Sequence, residues 1–328
     1  MSIRKPMKKI VILTSGGDAP GMNAAVRAAV RTALAEGLEV WASHSGYQGL
    51  VSETLVPLDS SAMANCIQLG GTILKTDRCQ AFFEKTVRQR CAHFLKSKLI
   101  DGLIIIGGDG SFRGATLLQE EGGPAIVGIP ATIDNDIEGT DYTIGFDTAR
   151  NTALSAIDRI RDTASSHNRN FMVEVMGRHA GFLALDVGIA GGAEYILIPE
   201  YPLTIDKLSR KMLEPSRKKM SSIIVVAEGE NPGHTLDLAK KLSDKTGITY
   251  KVCILGHIQR GGSPSALDRK LASLMGHTAT KMLINGIMNK MVALQHDQLI
   301  LVDFPDPQQP GRRVPDKTLL DLNDIICK

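Results

Sequence analysis

Two glycine-rich turns in the sequence have the composition of phosphate-binding sites. Gly16-Gly17 and the segment Gly107 to Ser111 (GGDGS) each follow an apolar run and precede a segment of helical composition. Backbone N–H groups in such turns bind anions, because glycine allows close approach and the dipole of the following helix favours negative charge. Neither turn fits the Walker A or the dinucleotide-binding spacing. For each turn taken alone, glycines that only permit a tight turn are the alternative.

Carboxylates near these glycines indicate metal-assisted phosphate chemistry. Asp109 lies inside the second glycine turn and would repel a phosphate unless a cation lay between them. Mg²⁺ is held in this way, by one or two carboxylates and phosphate oxygens. Asp134 and Asp136 follow a third apolar run, although capping of the following backbone is the alternative for this pair. Phosphate cradles, a metal ligand and a carboxylate that accepts a hydroxyl proton are what phosphoryl transfer requires.

Four arginines in polar or glycine-rich turns could supply the cations that this chemistry needs. They are Arg78, Arg169, Arg178 and Arg260. A guanidinium group presents a rigid fork that matches phosphate oxygens, so it can bind a phosphorylated substrate as well as a phosphate donor. For each arginine alone, a solvated side chain is the alternative.

Apolar runs predict the elements that must position these residues. Lys9 to Thr14 lacks polar alternation, which is typical of a strand buried on both faces of a parallel sheet. Met22 to Glu36 predicts a helix that Gly37 ends. Further strands are predicted at Leu103 to Ile106 and at Ala125 to Ile129. Alternating strands and helices predict a parallel, doubly wound sheet, whose ligands bind at the carboxyl ends of the strands.

The second half of the chain repeats this alternation. Its predicted strands are Phe171 to Val175, Tyr195 to Ile198, Ser222 to Ala227 and Val252 to Leu255. We therefore predict an α/β protein of two doubly wound, mainly parallel-sheet (Rossmann-like) domains that face one active-site cleft. Since no Pro- or Ser-rich linker marks the boundary near residue 145, the chain is expected to cross between the domains more than once.

The composition of the 328 residues excludes several classes of protein. The formal charge is only +3, aromatic residues make up 4%, and basic blocks interleaved with aromatics are absent, which argues against a nucleic-acid partner. Apolar runs stop well short of the roughly 20 residues of a membrane span, and no signal-peptide pattern occurs. Five cysteines without C-x-x-C spacing argue against a disulfide framework or a structural zinc site and favour the cytoplasm.

Five sequence blocks place these turns among specific neighbours. They are Leu13 to Asn23 (LTSGGDAPGMN), Ile106 to Ser111 (IGGDGS), Pro130 to Phe146 (PATIDNDIEGTDYTIGF), Val173 to Gly181 (VEVMGRHAG) and Leu255 to Pro264 (LGHIQRGGSP). In this order they resemble the bacterial ATP-dependent 6-phosphofructokinase family. The resemblance covers the chain to about residue 300 and fades in the proline-containing stretch after Val302. It implies a larger ATP-binding domain, residues 1–145 plus about 259–308, and a smaller fructose 6-phosphate-binding domain, residues 146–258 plus about 309–328.

The resemblance also implies an activity and a set of site residues. The activity is transfer of the ATP γ-phosphoryl group, with Mg²⁺, to the 1-hydroxyl of D-fructose 6-phosphate in glycolysis. Asp134 would be the general base with Thr132 and Asp136 beside it, while Arg78 and Arg178 would stabilise the transferring group. The implied ATP-binding residues are Gly17, Tyr47, Arg78, Cys79, Gly108, Asp109 (also the Mg²⁺ ligand), Gly110 and Ser111. The implied sugar-phosphate residues are Thr132, Asp134, Arg169, Met176, Gly177, Arg178, Glu228, Lys251, His257 and Arg260.

Self-association and regulation are further implications of the resemblance. Arg169 and Lys251 would reach in from a neighbouring subunit, which implies an obligate oligomer and favours a homotetramer. Lys251 stands where the family usually has arginine, and an ammonium group lacks the guanidinium fork. The implied effector-site residues are Arg27, Arg31, Arg161, Gly192, Glu194, Arg217 and Lys219. A solvated or interface pair at i, i+4 spacing is the alternative for Arg27 and Arg31, and Ser60 and Ser221 replace an arginine and a histidine of that site.

The choice of phosphoryl donor has its own signal in the sequence. Pyrophosphate-dependent relatives carry aspartate and lysine at the positions of Gly110 and Ala131, so the small residues here favour ATP. Cys79 and Phe83 nevertheless stand where a phenylalanine and an arginine often sit in the ATP-dependent enzymes. A pyrophosphate-dependent phosphofructokinase and a non-catalytic sensor of sugar phosphate or nucleotide are therefore the alternatives. An NAD-dependent oxidoreductase is excluded, because the chain lacks the dinucleotide-binding fingerprint.

Overall fold

A computed structural model describes residues 6–214, 221–229, 233–308 and 311–327. The strands are β1 (Lys9–Ser15), β2 (Glu39–Ser43), β3 (Val56–Leu58), β4 (Gly102–Gly107), β5 (Ala125–Pro130), β6 (Asn170–Val175), β7 (Tyr195–Leu197), β8 (Ser222–Ala227), β9 (Tyr250–Ile254), β10 (Lys290–Gln295) and β11 (Gln298–Asp303). The helices are α1 (Met22–Ala35), α2 (Tyr47–Val51), α3 (Lys85–Ser97), α4 (Asp109–Glu120), α5 (Phe146–His167), α6 (Phe182–Ala190), α7 (Ile205–Leu213), α8 (His234–Thr246), α9 (Ala266–Ile284) and α10 (Lys317–Ile326). Short 3₁₀ helices lie at Gln80–Phe83 and Gly256–Arg260.

Contacts within the chain divide the described residues into two units. Unit 1 falls within Met1–Thr132, Ile137–Thr148 and Arg260–Arg312, and unit 2 within Ile133–Asp136, Ala149–Gln259 and Arg313–Lys328. The polypeptide therefore passes from one unit to the other several times. That the two halves face one cleft, with ATP bound by one and the sugar phosphate by the other, stays a prediction.

Unit 1 contains a seven-stranded sheet in the order β11-β10-β5-β4-β1-β2-β3. Its five inner strands are parallel, and the edge strands β3 and β11 are antiparallel to their neighbours. The predicted apolar runs form the centre: every residue from Ile10 to Leu13 and from Leu103 to Ile106 is fully buried. Burial on both faces explains why these strands show no polar alternation.

Unit 2 contains a four-stranded, all-parallel sheet in the order β7-β8-β6-β9. The predicted strand Ser222 to Ala227 is observed with the same bounds, whereas β9 begins two residues before the predicted Val252 and ends one residue before Leu255. With both sheets, the prediction of an α/β protein built from doubly wound, mainly parallel sheets is confirmed. In the described residues, no helix has the length and apolar character needed to cross a membrane.

A buried carboxylate joins the starts of α5 and α9 within unit 1. Asp268 accepts hydrogen bonds from the backbone N–H groups of Gly145 (2.9 Å) and Thr148 (2.8 Å) and from the Thr148 hydroxyl (2.5 Å). Ser265 caps α9 by accepting from the N–H of Asp268 at 3.2 Å, and its hydroxyl donates to Asp147 at 2.6 Å. The Thr148 hydroxyl in turn accepts from the backbone N–H of Ser265 at 2.9 Å, so each helix start supplies an acceptor to backbone donors of the other.

The pKa of Asp268 is raised, because burial opposes its charge more than its hydrogen bonds favour it. With the folded pKa above the unfolded one, the stabilising contribution is complete below the unfolded pKa and is lost as pH rises through the folded pKa. We therefore expect the Tm of the wild type, relative to Asp268→Asn, to rise as pH falls from about 7 to about 4. Thermal melts at constant ionic strength check this, with Asp303→Asn on the exposed edge strand as the control. A Tm difference that does not vary with pH contradicts it.

Candidate active site

The two predicted phosphate turns lie side by side at the carboxyl edge of the sheet in unit 1. Strands β1 and β4 pair up to Ser15 and Gly107, where the turns begin. A Cβ on Gly107 would lie 2.5 Å from the carbonyl oxygen of Ser15, and one on Gly16 would lie 3.4 Å from Ser111 Oγ. Strand order reverses between β1 and β4, and ligands of doubly wound sheets bind at such a reversal.

The second turn forms the start of α4, where the helix can receive an anion. The carbonyl of Gly108 accepts from the N–H groups of Ser111 (3.0 Å) and Phe112 (3.2 Å), and no side chain caps the helix. Nothing lies within 4 Å of the position of a Cβ on Gly110, whereas a Cβ on Gly108 would lie 3.9 Å from that of Thr132. The structure therefore brings Gly108, Gly110, Ser111 and Thr132 together beside a helix N-terminus, as a phosphate cradle requires.

Asp109, the predicted metal ligand, forms an ion pair within its own helix. Its Oδ2 lies 2.8 Å from Nη2 of Arg113, and its side chain is 28% exposed. A partly exposed carboxylate beside a phosphate cradle fits Mg²⁺, which takes one or two carboxylates and completes its shell with phosphate oxygens and water. In the described part of the chain, three or more His, Cys, Asp or Glu side chains do not cluster as a metal site. The residues therefore fit a metal shared with a phosphate better than a metal held by protein alone.

Tyr47 is buried, and its hydroxyl donates to the carbonyl of Ser111 at 2.5 Å. Its ring stacks on Phe82 with ring centroids 3.9 Å apart, and burial raises the pKa of its hydroxyl. These contacts hold the first turn of α4 in place. The predicted contact of Tyr47 with ATP stays a prediction, whereas its support of the glycine turn is observed.

The segment that carries Arg78 and Cys79 is tied to the end of β1. The Thr76 hydroxyl donates to the carbonyl of Gly16, and the Thr14 hydroxyl donates to that of Lys75, each at 2.8 Å. Arg78 is exposed. Cys79 is 9% exposed, and its thiol donates to Gln48 at 3.2 Å. The exposed side chain of Arg78 is accessible to a nucleotide, whereas the thiol of Cys79 is buried against Gln48.

Arg260, predicted to bind the sugar phosphate, belongs to unit 1 and lies on the first glycine turn. Its Nη1 donates to the carbonyl of Asp18 at 3.3 Å and lies 2.6 Å from the position of a Cβ on Gly17. Glycine at position 17 therefore makes room for the guanidinium group. The predicted contact of Arg260 with the sugar phosphate stays a prediction.

The third turn divides between the units, with its threonine in unit 1 and its two aspartates in unit 2. Thr132 belongs to unit 1, where its carbonyl accepts from the Thr143 hydroxyl at 2.6 Å, while Asp134 and Asp136 group with unit 2. Between them the buried Asn135 has φ +52°, a left-handed conformation that asparagine tolerates. Both aspartates are partly buried. The left-handed conformation of Asn135 therefore produces the sharp turn between the two aspartates.

In unit 2 a strained turn presents the predicted sugar-phosphate residues after β6. Gly177 has φ +141°, and a Cβ there would lie 2.3 Å from the carbonyl oxygen of Ala180, so glycine is required. Arg178 follows with φ +54°, and its backbone N–H donates to Glu228 Oε1 at 3.1 Å. Since β6 lies between β8 and β9, Met176, Gly177, Arg178, Glu228 and His257 all follow neighbouring strand ends.

Arg169 and Lys251 lie at the opposite end of the same sheet. Arg169 precedes Asn170, the first residue of β6, and Lys251 pairs with Phe171 in the parallel register of β9. Both side chains are exposed. A rise of about 3.3 Å per residue puts the backbone of Arg169 about 23 Å from that of Met176. Within one chain, the structure does not bring these two residues to the turn at Gly177 and Arg178.

Three of the predicted effector residues come together in unit 2. Arg161 Nη2 donates to the carbonyls of Gly191 (2.5 Å) and Gly192 (2.8 Å), and its Nη1 lies 4.0 Å from Glu194. Glu194 also accepts from the N–H of Ile223 at 2.7 Å. Arg27 and Arg31 lie on α1 in unit 1. Arg217 and Lys219 lie outside the described residues.

Sequence reasoning missed the residues that support these turns. Arg113 follows Asp109 by four positions, a spacing that could have indicated the ion pair. The buried ion pair of Arg88 and Glu121 joins two helix regions 33 residues apart. The buried amide of Gln259 bonds to Met176, 83 residues earlier. No local sequence pattern indicates either contact.

Glycine turns, a carboxylate and arginines at the ends of parallel strands are the features of an α/β protein that binds phosphate groups. The model of the family described as Phosphofructokinase matches residues 9–283. The chain is 56% identical over 321 residues to the ATP-dependent 6-phosphofructokinase of Coxiella burnetii, and the alignment covers 98% of each chain. It is 51% identical over 323 residues to ATP-dependent 6-phosphofructokinase 1 of Thermus thermophilus, covering 98% of this chain and 100% of that one. It superposes on Saccharomyces cerevisiae phosphofructokinase with a TM-score of 0.84 at 38% identity, over 90% of this chain but only 45% of the yeast chain. The chain belongs to the phosphofructokinase family.

Proposed function

We propose that the chain transfers the γ-phosphoryl group of ATP to the 1-hydroxyl of D-fructose 6-phosphate, giving fructose 1,6-bisphosphate and ADP. Relatives that it matches over nearly their whole length carry the name of this activity. The observation that carries the proposal is the pairing of two glycine turns at the β1–β4 strand ends, with Asp109 and Thr132 beside them. Such a pair can hold a chain of phosphates and a metal, which a single anion site cannot.

Residues of unit 1 would bind the phosphate donor. Backbone N–H groups at Gly17, Gly108 and Gly110 would contact phosphate oxygens, because glycine leaves the backbone accessible. Mg²⁺ at Asp109 supplies charge neutralisation to the phosphates when bound. The exposed guanidinium group of Arg78 would neutralise charge on the transferring group.

Residues after the strands of unit 2 would bind the acceptor. Met176, Gly177, Glu228 and His257 would hold the sugar phosphate, and Arg178 would stabilise the charge that develops during transfer. Asp134 would take the proton from the 1-hydroxyl as that oxygen attacks, so that the nucleophile forms at its site of use. Thr132 and Asp136 would position this carboxylate.

The open space at Gly110 supports ATP over pyrophosphate. Nothing lies within 4 Å of a Cβ at this position, so the turn keeps room for the phosphates of a nucleotide. An aspartate there, as in the pyrophosphate-dependent relatives, would add a negative charge where the donor binds.

A donor assay tests the proposed function. We expect turnover of fructose 6-phosphate with ATP and Mg²⁺, turnover with pyrophosphate lower by about a hundredfold or more, and a product that ³¹P NMR identifies as the 1,6-bisphosphate. Faster turnover with pyrophosphate would assign the pyrophosphate-dependent reaction. Tight binding of both ligands without turnover would assign the sensor alternative.

We also propose that the active form is a homotetramer in which Arg169 and Lys251 complete the site of a neighbouring subunit. Their position at the opposite end of β6 and β9 from Met176 supports this, since one chain cannot direct all these groups to one sugar phosphate. We expect Asp134→Ser and Arg169→Ala chains, each inactive alone, to regain up to about a quarter of wild-type activity when co-assembled, because hybrid sites combine intact residues. Co-expression with two affinity tags provides the hybrid, and a mixture of separately assembled oligomers is the control. Mass measurement by light scattering gives the oligomer size, and no recovery in the hybrid contradicts the shared site.

We also propose an effector site and a cellular compartment for this chain. An effector that carries phosphate would bind at Arg27, Arg31, Arg161, Gly192, Glu194, Arg217 and Lys219, of which Arg161, Gly192 and Glu194 are in contact. We place the protein in the cytoplasm, because its five cysteines form no disulfide in the described chain.

A further inference from the structure

Gln259 joins two turns of unit 2 through both ends of its side-chain amide. It is fully buried. Its Oε1 accepts from the backbone N–H of Met176 at 3.3 Å, and its Nε2 donates to the carbonyl oxygen of Gly256 at 3.0 Å. Met176 opens the turn after β6, and Gly256 opens the 3₁₀ helix after β9 that carries His257. One amide therefore spans the two turns to which sugar-phosphate residues are assigned.

The hydrogen bond from Met176 to Gln259 directly follows the last backbone hydrogen bonds of the sheet. The N–H of Glu228 donates to the carbonyl of Val175 at 2.8 Å, and the N–H of Leu255 donates to that of Glu174 at 3.0 Å. These bonds extend the pairing of β6 with β8 and β9 by one residue on each side. For the N–H of Met176, the next along the chain, Gln259 supplies the acceptor in place of a strand. A buried backbone N–H that loses its acceptor is costly, so the turn depends on this side chain.

The turn at Met176 to Arg178 is also restrained by its backbone conformation and by two carboxylates. Gly177 and Arg178 both have positive φ, and the turn is fixed further by the bond from the Arg178 N–H to Glu228 and by one from the Gly181 N–H to Glu200 at 2.8 Å. Glu228 and Glu200 follow β8 and β7, on the other side of β6 from β9, so their bonds do not join the Met176 turn to the His257 turn. Beyond the last bond of the β6–β9 ladder, Gln259 makes that connection.

We propose that Gln259 is a positioning residue for the sugar phosphate, setting the Met176–Arg178 turn and the Gly256–His257 turn at the spacing that one ligand requires. The inference rests on the proposed function, because it takes both turns to bind fructose 6-phosphate. Loss of the amide would let the turns move independently and weaken acceptor binding. Donor binding, assigned to unit 1, would be unchanged.

Two variants separate the two ends of the amide. Gln259→Met keeps the length of the side chain and removes donor and acceptor together. Gln259→Glu keeps an acceptor for Met176 and loses the donor to Gly256. We expect the KM for fructose 6-phosphate to rise about tenfold or more in Gln259→Met and by a smaller factor in Gln259→Glu, with the KM for ATP within about twofold of the wild type.

Asn323→Leu is the matched control. Asn323 is also a buried amide of unit 2 with both ends engaged, donating to the carbonyl of Ala193 at 3.1 Å and accepting from the thiol of Cys327 at 3.4 Å. It lies on α10, and its partner Ala193 precedes β7, at the edge of the parallel sheet opposite to the one that carries both turns. We expect it to lower Tm as Gln259→Met does without raising the KM for fructose 6-phosphate. An unchanged KM in Gln259→Met, or an equal rise in Asn323→Leu at equal loss of Tm, overturns the proposal.

Calorimetric titration of fructose 6-phosphate into the full chain supplies a readout without turnover. The expected result is a Kd at least about tenfold weaker in Gln259→Met than in the wild type. Turnover by the wild type tests the proposed function by itself. The ratio of the KM or Kd for fructose 6-phosphate in the variant to that in the wild type tests the role of Gln259. If Gln259→Met does not fold, Gln259→Glu carries the test, and a KM equal to that of the wild type in Gln259→Glu together with an unaltered Kd overturns the proposal. A wild type that neither binds nor phosphorylates fructose 6-phosphate overturns both.

Discussion

Asp134→Ser is expected to lower kcat by about a thousandfold while KM for both substrates changes little. A general base contributes about 10²–10⁴-fold, because it removes the hydroxyl proton as the oxygen attacks, and the serine hydroxyl cannot take that proton. Serine keeps a short polar side chain in a partly buried turn, so the fold should persist. Steady-state kinetics with ATP and fructose 6-phosphate measures the effect, with product release excluded as the limiting step by a pre-steady-state time course.

The control for this variant is Asp303→Ser, at a side chain that is 83% exposed on the edge strand β11. It makes the same chemical change without touching the proposed site and should leave kcat at the wild-type value. Fluorescence of Trp41, the only tryptophan, checks that unit 1 remains folded, since Trp41 packs against the core of that unit. An Asp134→Ser enzyme that retains more than about a tenth of wild-type kcat removes Asp134 from the role of base.

The two sheets illustrate what the sequence could predict and why. Ile10 to Leu13 and Leu103 to Ile106 are apolar without alternation because both faces of these strands are buried. This signal is local, so these strands were predicted correctly, and the five sequence blocks correctly indicated the family. The strands β2, β3, β10 and β11 were not predicted. The strand order, with β10 and β11 following β5 across the sheet, depends on contacts between residues far apart in the sequence and was not predicted.

The supporting residues of the candidate site show the limit of local patterns more sharply. Asp268 lies in a polar stretch that resembles an ordinary exposed helix start, yet it is 1% exposed and holds the start of another helix. Gln259 lies in the block LGHIQRGGSP, which identified the family, but its role depends on the end of β6 about 80 residues earlier. A buried polar residue is recognised by its partners, and its partners are known only once the chain is folded.

Arg88→Met is expected to destabilise unit 1 by about 3–5 kcal/mol, because it leaves a buried carboxylate without its partner. The guanidinium group of Arg88 meets Glu121 at two points, 2.6 Å and 2.9 Å, and both side chains are less than a tenth exposed. It also donates to the carbonyls of Phe82 (3.0 Å) and Phe83 (2.7 Å). Urea denaturation followed by the fluorescence of Trp41 measures the change.

Two further variants identify buried charge as the cause of this loss. Lys281→Met breaks an exposed pair with Glu36, 2.9 Å long and about two-fifths exposed on each side, and should cost less than about 1 kcal/mol. Arg88→Met combined with Glu121→Met should recover part of the stability, because no buried charge then lacks a partner. A double variant no more stable than Arg88→Met would assign the loss to packing instead.

Arg88→Met is also expected to weaken ATP binding, because Arg88 supports the proposed donor site through a chain of contacts. Arg88 fixes the carbonyls of the 3₁₀ helix whose Phe82 ring stacks on Tyr47, and the hydroxyl of Tyr47 fixes Ser111 in the glycine turn. Loosening the helix should therefore raise the KM for ATP by more than the KM for fructose 6-phosphate, the reverse of the ratio expected for Gln259→Met. Kinetics below the onset of unfolding measure both constants. Equal changes in the two would show that the Phe82–Tyr47 stack supports the fold of unit 1 without positioning the phosphate cradle.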